Sequence, residues 1–182
     1  MDRSCDGWRL LKFRSTPGMS GTLMLHFWSM PTPSFILKLR EKIGNDLLLL
    51  PGVTGVVLND AGEILLMQRK DTLQWMPIGG CVEPDEEPSD CILRETFEET
   101  AVRAEIVALV NVDAMGKVTY PNGDRVNFVT TTYLLRAFSG EPKPNDDEAA
   151  DARFFPIDQM PRLKKHHQQR VDWALAQKTR NG

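Results

Sequence analysis

Glu95, Glu98 and Glu99 are the residues of this chain whose type and spacing speak most directly of chemistry. They lie in the stretch PSDCILRETFEET, and Pro88 suits the first turn of a helix because its missing N–H leaves nothing unsatisfied there. The spacing predicts a helix over residues 88–100. Side chains three and four apart are neighbours on a helix, so Glu95 meets both Glu98 and Glu99 on one broad face. Ile92, Leu93, Thr96, Phe97 and Thr100 fall on the other side, which is expected to bury against a sheet. Clustered carboxylates repel one another, so stability alone gives little reason for them. Divalent cations would remove the repulsion. Mg2+ prefers oxygen ligands and leaves positions open to phosphate oxygens; Mn2+ suits the same donors, and zinc is disfavoured without a Cys/His cluster. A solvated acidic face is the competing reading. Gly79-Gly80 permits a close backbone turn before the helix, with a carbonyl available to a metal. Arg94 offers a rigid fork of donors that can brace Glu95 or another acid, against the plainer role of a surface ion pair.

From Gly80 to Val102 the chain reads GCVEPDEEPSDCILRETFEETAV. Gly80, Glu86, Arg94, Glu95, Glu98 and Glu99 coincide with the fixed positions of the Nudix hydrolase signature, so the sequence resembles the Nudix (MutT-like) superfamily. Within it, the resemblance is to pyrophosphatases acting on ADP-ribose and related nucleoside diphosphate derivatives. Two positions depart: Thr96 fills a hydrophobic place, and Ala101 replaces a glycine, with modest strain expected at the helix exit.

The resemblance covers residues 50–160 and implies an α/β fold, an α/β/α sandwich with a mixed sheet between helices. It also implies that Glu95, Glu98 and Glu99 hold Mg2+ or Mn2+, with the Gly79 carbonyl as an additional ligand. Glu95 would alternatively orient or deprotonate water. Gly80 and Glu86 have structural roles, Glu86 through Arg94. Glu148, in Asp146-Asp147-Glu148, matches a further acid that assists metal or water, its rival reading being a solvated loop. The implied reaction is attack of water on the phosphoanhydride of a nucleoside diphosphate linked to another moiety, giving a nucleoside monophosphate and a phosphorylated product. A triphosphate pyrophosphohydrolase and a non-catalytic nucleotide-binding regulator are the alternatives. A homodimer is likewise implied only by resemblance.

Around this centre, residues 34–178 are expected to form the domain, with an extension over 1–33 and a tail over 179–182. Thr32 is expected to cap a helix opened by Pro33 and ended by Gly44-Asn45, carrying Phe35, Ile36, Leu39 and Ile43 on its apolar side. Val53–Leu58 and Ile64–Met67 read as a hairpin across the turn at residues 59–62, and Ala104–Val112 and Val126–Phe138 as further strands. Leu163, His167, Val171, Ala174 and Leu175 mark one face of a terminal helix. Candidate substrate contacts are Arg69, Trp75, Tyr120, Asp124 and Phe128, although strands ordinarily bury aromatics and turn formation alone would explain residues 120–124.

Composition sets outer bounds. The 182 residues suffice for one substantial core, and a net charge of −3 gives no general attraction to nucleic acid or anionic membrane. No stretch approaches the roughly 20 apolar residues of a membrane span. Cys5, Cys81 and Cys91 suggest neither a disulfide framework nor a zinc site, and the first residues lack the order of a secretion signal, so a cytoplasmic protein is expected.

Overall fold

The computed structural model describes residues 32–181, and the expectations for residues 1–31 lie outside it. Helix α1 (Ser34–Ile43) starts one residue later than expected. Pro33, not Thr32, takes the N-cap position, and its carbonyl receives the N–H groups of Ile36 and Leu37 at 2.9 and 3.3 Å. Pro33 itself has extended backbone, φ −48° and ψ 138°, so the helix opens one residue after it and Thr32 falls outside. Gly44 ends it at φ 56°, donating its N–H to the Arg40 carbonyl.

A mixed sheet of seven strands follows: β1 (Leu48–Leu58), β2 (Ile64–Arg69), β3 (Trp75–Met76), β4 (Ile78–Cys81), β5 (Arg103–Thr119), β6 (Arg125–Ser139) and β7 (Ala149–Phe155). β1 runs parallel to β6 along its whole length. Its other edge is divided, with β4 antiparallel at Gly52–Gly55 and β2 antiparallel at Val57 and Leu58. That division opens the sheet beside β4. β2 also pairs with β3 and β7, and β5 with β6 forms a long hairpin closing through residues 120–124. β5 runs well beyond Val112, bulged in several places along an edge of the sheet.

Successive strand residues face opposite sides, so β1 supplies both cores. Val53 and Val57 meet helix α2 (Pro88–Thr100) through Cys91 and Ile92, while Val56 and Leu58 meet helix α3 (Lys165–Asn181) through Val171 and Ala174. Covering both faces explains the near-continuous apolar run of β1. The expected layering of a mixed sheet between helices is present. Gly55 fixes how closely α2 approaches: a Cβ there would lie 2.9 Å from Ile92 side-chain carbons and 3.1 Å from Leu135. α3 continues through Asn181, so residues 179–181 extend the helix where a tail was expected.

α2 ends at Ala101 in the left-handed region, φ 59° and ψ 10°, with its N–H bonded to the Phe97 carbonyl. An L residue there bears roughly 1–2 kcal/mol of strain, partly offset by the entropy that glycine would lose on folding. Ala101→Gly is therefore expected to raise stability by about 0.5–1 kcal/mol, measured by urea unfolding, with catalytic constants unchanged.

Candidate active site

β4 and α2 face each other across the divided edge of β1. Gly79 pairs with Thr54 and Gly80 with Val53; a Cβ on Gly79 would stand 2.8 Å from the Val53 carbonyl, and one on Gly80 would overlap the Glu95 carboxylate. Gly80 lets α2 lay Glu95 directly on the strand backbone, and Gly79 lets β4 pack closely on β1. Gly80→Ala is expected to push Glu95 aside and lower turnover about 100-fold, the cost of a displacement near 1 Å, with far-ultraviolet circular dichroism unchanged. Parental turnover would mean that the Glu95 position does not matter.

Arg94 organises the acids. Its Nε and Nη2 donate to the two Glu86 oxygens at 2.7 and 3.0 Å, and Nη1 reaches Glu98 Oε2 at 2.8 Å and Glu95 Oε1 at 3.0 Å. Glu86 also accepts the Glu83 N–H, so the loop before α2 is tied to the helix through this fork. The bond from Arg94 holds the Glu86 carboxyl below its ordinary pKa.

The face assignment of α2 needs one correction. Phe97, expected in the core, is 37% exposed beneath the Arg103 guanidinium, whereas Glu99 is only 4% exposed. Ile92, Thr96 and Glu99 are spaced i, i+4, i+7, which is the buried stripe of an amphipathic helix, and Phe97 stands off it. Glu99 Oε2 is buried with no hydrogen-bond partner among the described residues. Burial, and then the charges of Glu95, Glu148 and Asp146, push its carboxyl well above the usual range. Burial likewise raises Glu95 to about 7, with Arg94 opposing, and Glu148 to about 7, with Asp146 adding and Arg69 opposing.

A cleft of about 530 Å³ opens here, lined by Gly79, Gly80, Arg94, Glu95, Glu98 and Glu148 among others. An unsatisfied buried carboxylate oxygen amid further acids is costly unless a cation joins it, and the all-oxygen donor set fits Mg2+ or Mn2+. Among the described residues no three acids converge as a finished coordination sphere. Arg94 engages Glu95 and Glu98, and the Glu98 side chain remains 52% exposed.

A smaller, mainly apolar cleft of about 90 Å³ adjoins it, and Pro33 and Cys81 line both. Tyr120, Asp124 and Phe128 come together in this slot, with Ile36 and Arg40 of α1 as its facing wall. Arg40 Nε lies 3.2 Å from Asp124 Oδ1, and its Nη atoms bond the carbonyls of Gly44, Asp46 and Arg125, welding α1 to the β5–β6 turn. Arg69 is part-buried and forked onto Asp71 by two 2.8 Å bonds; that pairing raises its pKa, with Glu148 and Glu99 adding through their charge. Trp75 belongs elsewhere. It packs edge-on to Phe155, centroids 4.9 Å apart, in the core under α3 and lines neither cleft. Burial holds His167 down to about 3, a neutral ring in the α3 layer.

Two contributors escaped the sequence reading. Arg40 carries no local signal, since it sits among ordinary charged helix residues. Asn145 gives only the faint cue of an Asn placed directly before the acidic triplet.

An acid-bearing helix laid on the open edge of a mixed sheet defines a Nudix-type enzyme scaffold. The chain belongs to the NUDIX domain family, whose profile matches residues 48–174. An ADP-ribose pyrophosphatase of Methanocaldococcus jannaschii is 30% identical over 143 residues, 73% of this chain and 78% of that protein. A MutT-like protein of Streptomyces ambofaciens is 40% identical over 60 residues, but that match spans 33% of this chain and 39% of the relative's length. The crystal structure of a MutT NUDIX hydrolase from Burkholderia pseudomallei superposes with a TM-score of 0.58 at 27% identity, covering 69% of this chain and 98% of that one. Among the described residues, no helix is long and apolar enough to cross a membrane.

Proposed function

We propose that this protein hydrolyses the phosphoanhydride of a nucleoside diphosphate linked to a second group, of the ADP-ribose type, with Mg2+ or Mn2+ held by Glu95, Glu98, Glu99 and the Gly79 carbonyl. The observation that carries this reading is the adjacency of the acidic cleft, whose Glu95, Glu148 and Asp146 act on the buried, unsatisfied Glu99, to the slot of Tyr120, Asp124 and Phe128. One end of such a substrate is anionic and the other is a flat, partly apolar nucleoside. The activity for which the Methanocaldococcus jannaschii relative is named supports the same class.

When bound, the cation supplies charge neutralisation for the phosphates and a lowered pKa for an adjacent water. The chain's own residues do the rest. Tyr120 and Phe128 flank the nucleoside, and Asp124 offers an acceptor to it. Arg69 lines neither cleft, but its guanidinium feels both Glu148 and Glu99, which supports its drawing in a phosphate oxygen. Glu148 takes the proton from water as its oxygen attacks phosphorus; the P–O bond of the anhydride breaks, and the second phosphate departs. Its carboxyl at about 7 suits a base working near neutral pH, and its carboxylate makes no hydrogen bond among the described residues. Glu95 orients the water, because Arg94 already engages its Oε1.

The test is an assay of ADP-ribose and of nucleoside triphosphates with Mg2+ or Mn2+, identifying products by mass. AMP with ribose 5-phosphate is expected. Pyrophosphate release from triphosphates alone would replace this reading with a triphosphate pyrophosphohydrolase, and nucleotide binding without turnover in either metal would indicate a regulator.

A further inference from the structure

We infer that Asn145 is a positioning residue that holds Glu148 in register with the α2 carboxylates; the inference rests on the hydrolase reading above. The last turn of any helix leaves carbonyls without intrahelical donors. In α2 the loop between β6 and β7 supplies donors to two of them, Lys143 N–H reaching the Thr100 carbonyl at 3.1 Å and Asn145 N–H the Glu99 carbonyl at 3.3 Å, and Asn145 Nδ2 adds a second donor, at 3.0 Å, to the Phe97 carbonyl that already accepts the Ala101 N–H. Pro144 lies between the two donor residues and has no N–H of its own, so the attachment falls on its neighbours.

Beyond Asn145 the loop is tied a second time. Asp146 Oδ1 accepts the N–H groups of Glu148 and Ala149 at 2.9 and 3.1 Å, and the Lys70 N–H bonds the Glu148 carbonyl at 2.9 Å. Ala149 then pairs with Arg69 as β7 begins. Glu148 is thus slung between two anchors, the C-terminal turn of α2 on one side and the end of β2 on the other. The β2 anchor is made by strand pairing and backbone bonds that any sequence could supply. The α2 anchor adds one side-chain bond, from Asn145, to two backbone bonds, and that side chain is exposed, outside every apolar core. That side chain bonds the Phe97 carbonyl, while the Asn145 N–H meets the carbonyl of Glu99, the most buried of the acids, so the amide secures the loop on the same turn that carries the unsatisfied carboxylate. Loss of the Asn145 amide frees Glu148 relative to Glu99 without opening the core.

Asn145→Ala, Glu148→Gln and the double variant separate this from plain helix capping. Expected for Asn145→Ala is a fall in kcat of roughly 10-fold, the lower range for a group that supports a metal site, with KM for ADP-ribose little changed. Mn2+ affinity, measured by calorimetry on the full chain, should weaken in parallel, and the melting temperature should stay at the parental value. In the Glu148→Gln background the Asn145 change should cost no further activity, because residues acting through one another are not additive. Parental kcat and parental Mn2+ affinity in Asn145→Ala, or full additivity in the double variant, would overturn the inference. If the parent chain hydrolyses no diphosphate-linked nucleotide, the hydrolase reading fails by itself; the Mn2+ affinities then decide for or against Asn145.

Discussion

Glu99→Gln is expected to lose more than about 100-fold in turnover while its metal-free fold becomes more stable than the parent's. The first half follows from magnitude: removing even a supporting group around a metal costs up to about 100-fold, and Glu99 is proposed here as a ligand. The second half follows from burial. In the absence of a cation, Glu99 keeps a carboxylate in the interior with Oε2 unpartnered, under the field of Glu95, Glu148 and Asp146. Glutamine has the same shape and no charge. The sign of the pH dependence is fixed by the direction of the shift. A carboxyl raised above its unfolded pKa gives the metal-free parent full stability below the ordinary glutamate range, and that stability is lost as pH rises through the folded pKa. The glutamine variant lacks this loss, so its advantage in melting temperature, measured in chelator, widens from pH 5 toward pH 8. Adding Mn2+ should raise the parent's melting temperature and leave the variant's nearly unmoved. A variant less stable than the parent in chelator would show that Glu99 is satisfied in a way its surroundings do not suggest.

Asp113→Ala is expected to cost about 3–5 kcal/mol in urea unfolding, several times the size of the gain expected from Ala101→Gly and opposite in sign. Arg170 of α3 is 4% exposed; it donates to Asp113 on β5 at 3.1 and 2.9 Å and to Thr54 Oγ1 on β1 at 3.4 Å. Taking Asp113 away leaves that guanidinium buried against a single hydroxyl. Breaking one side of a buried pair is costly, whereas replacing both sides by apolar groups is often neutral. Arg170→Met added to Asp113→Ala should therefore restore much of the loss. A loss below about 1 kcal/mol for Asp113→Ala, within the range of exposed pairs, would mean that water already screens Arg170.

The acid-bearing helix was legible because its information is local. Pro88 marks its start, the three glutamates follow helical spacing, and Ala101 occupies the place where a left-handed residue was anticipated and is found at φ 59°. The hairpin of β1 and β2 was legible for the same reason, since two runs of strand-forming residues and a turn lie within a short stretch. Thr32 and Phe97 show where such reading slips. One residue decides whether a side chain caps a helix, and one step of about 100° decides whether an aromatic is core or surface.

By itself the sequence determined which residues carry charge on one helix, where that helix begins and ends, and that divalent cations would relieve its crowding. Only tertiary structure decided that Glu99 is buried without a partner among the described residues, that α1 walls the slot through Arg40, and that Trp75 packs under α3 and lines neither cleft. Tertiary structure likewise decided that Asn145 ties a distant loop to the α2 turn that ends at Thr100. The reason is range. Helical and strand periodicity couple neighbours a few residues apart, whereas burial and desolvation depend on which segments the sheet order brings together, as when β1 lies parallel to a strand many residues downstream.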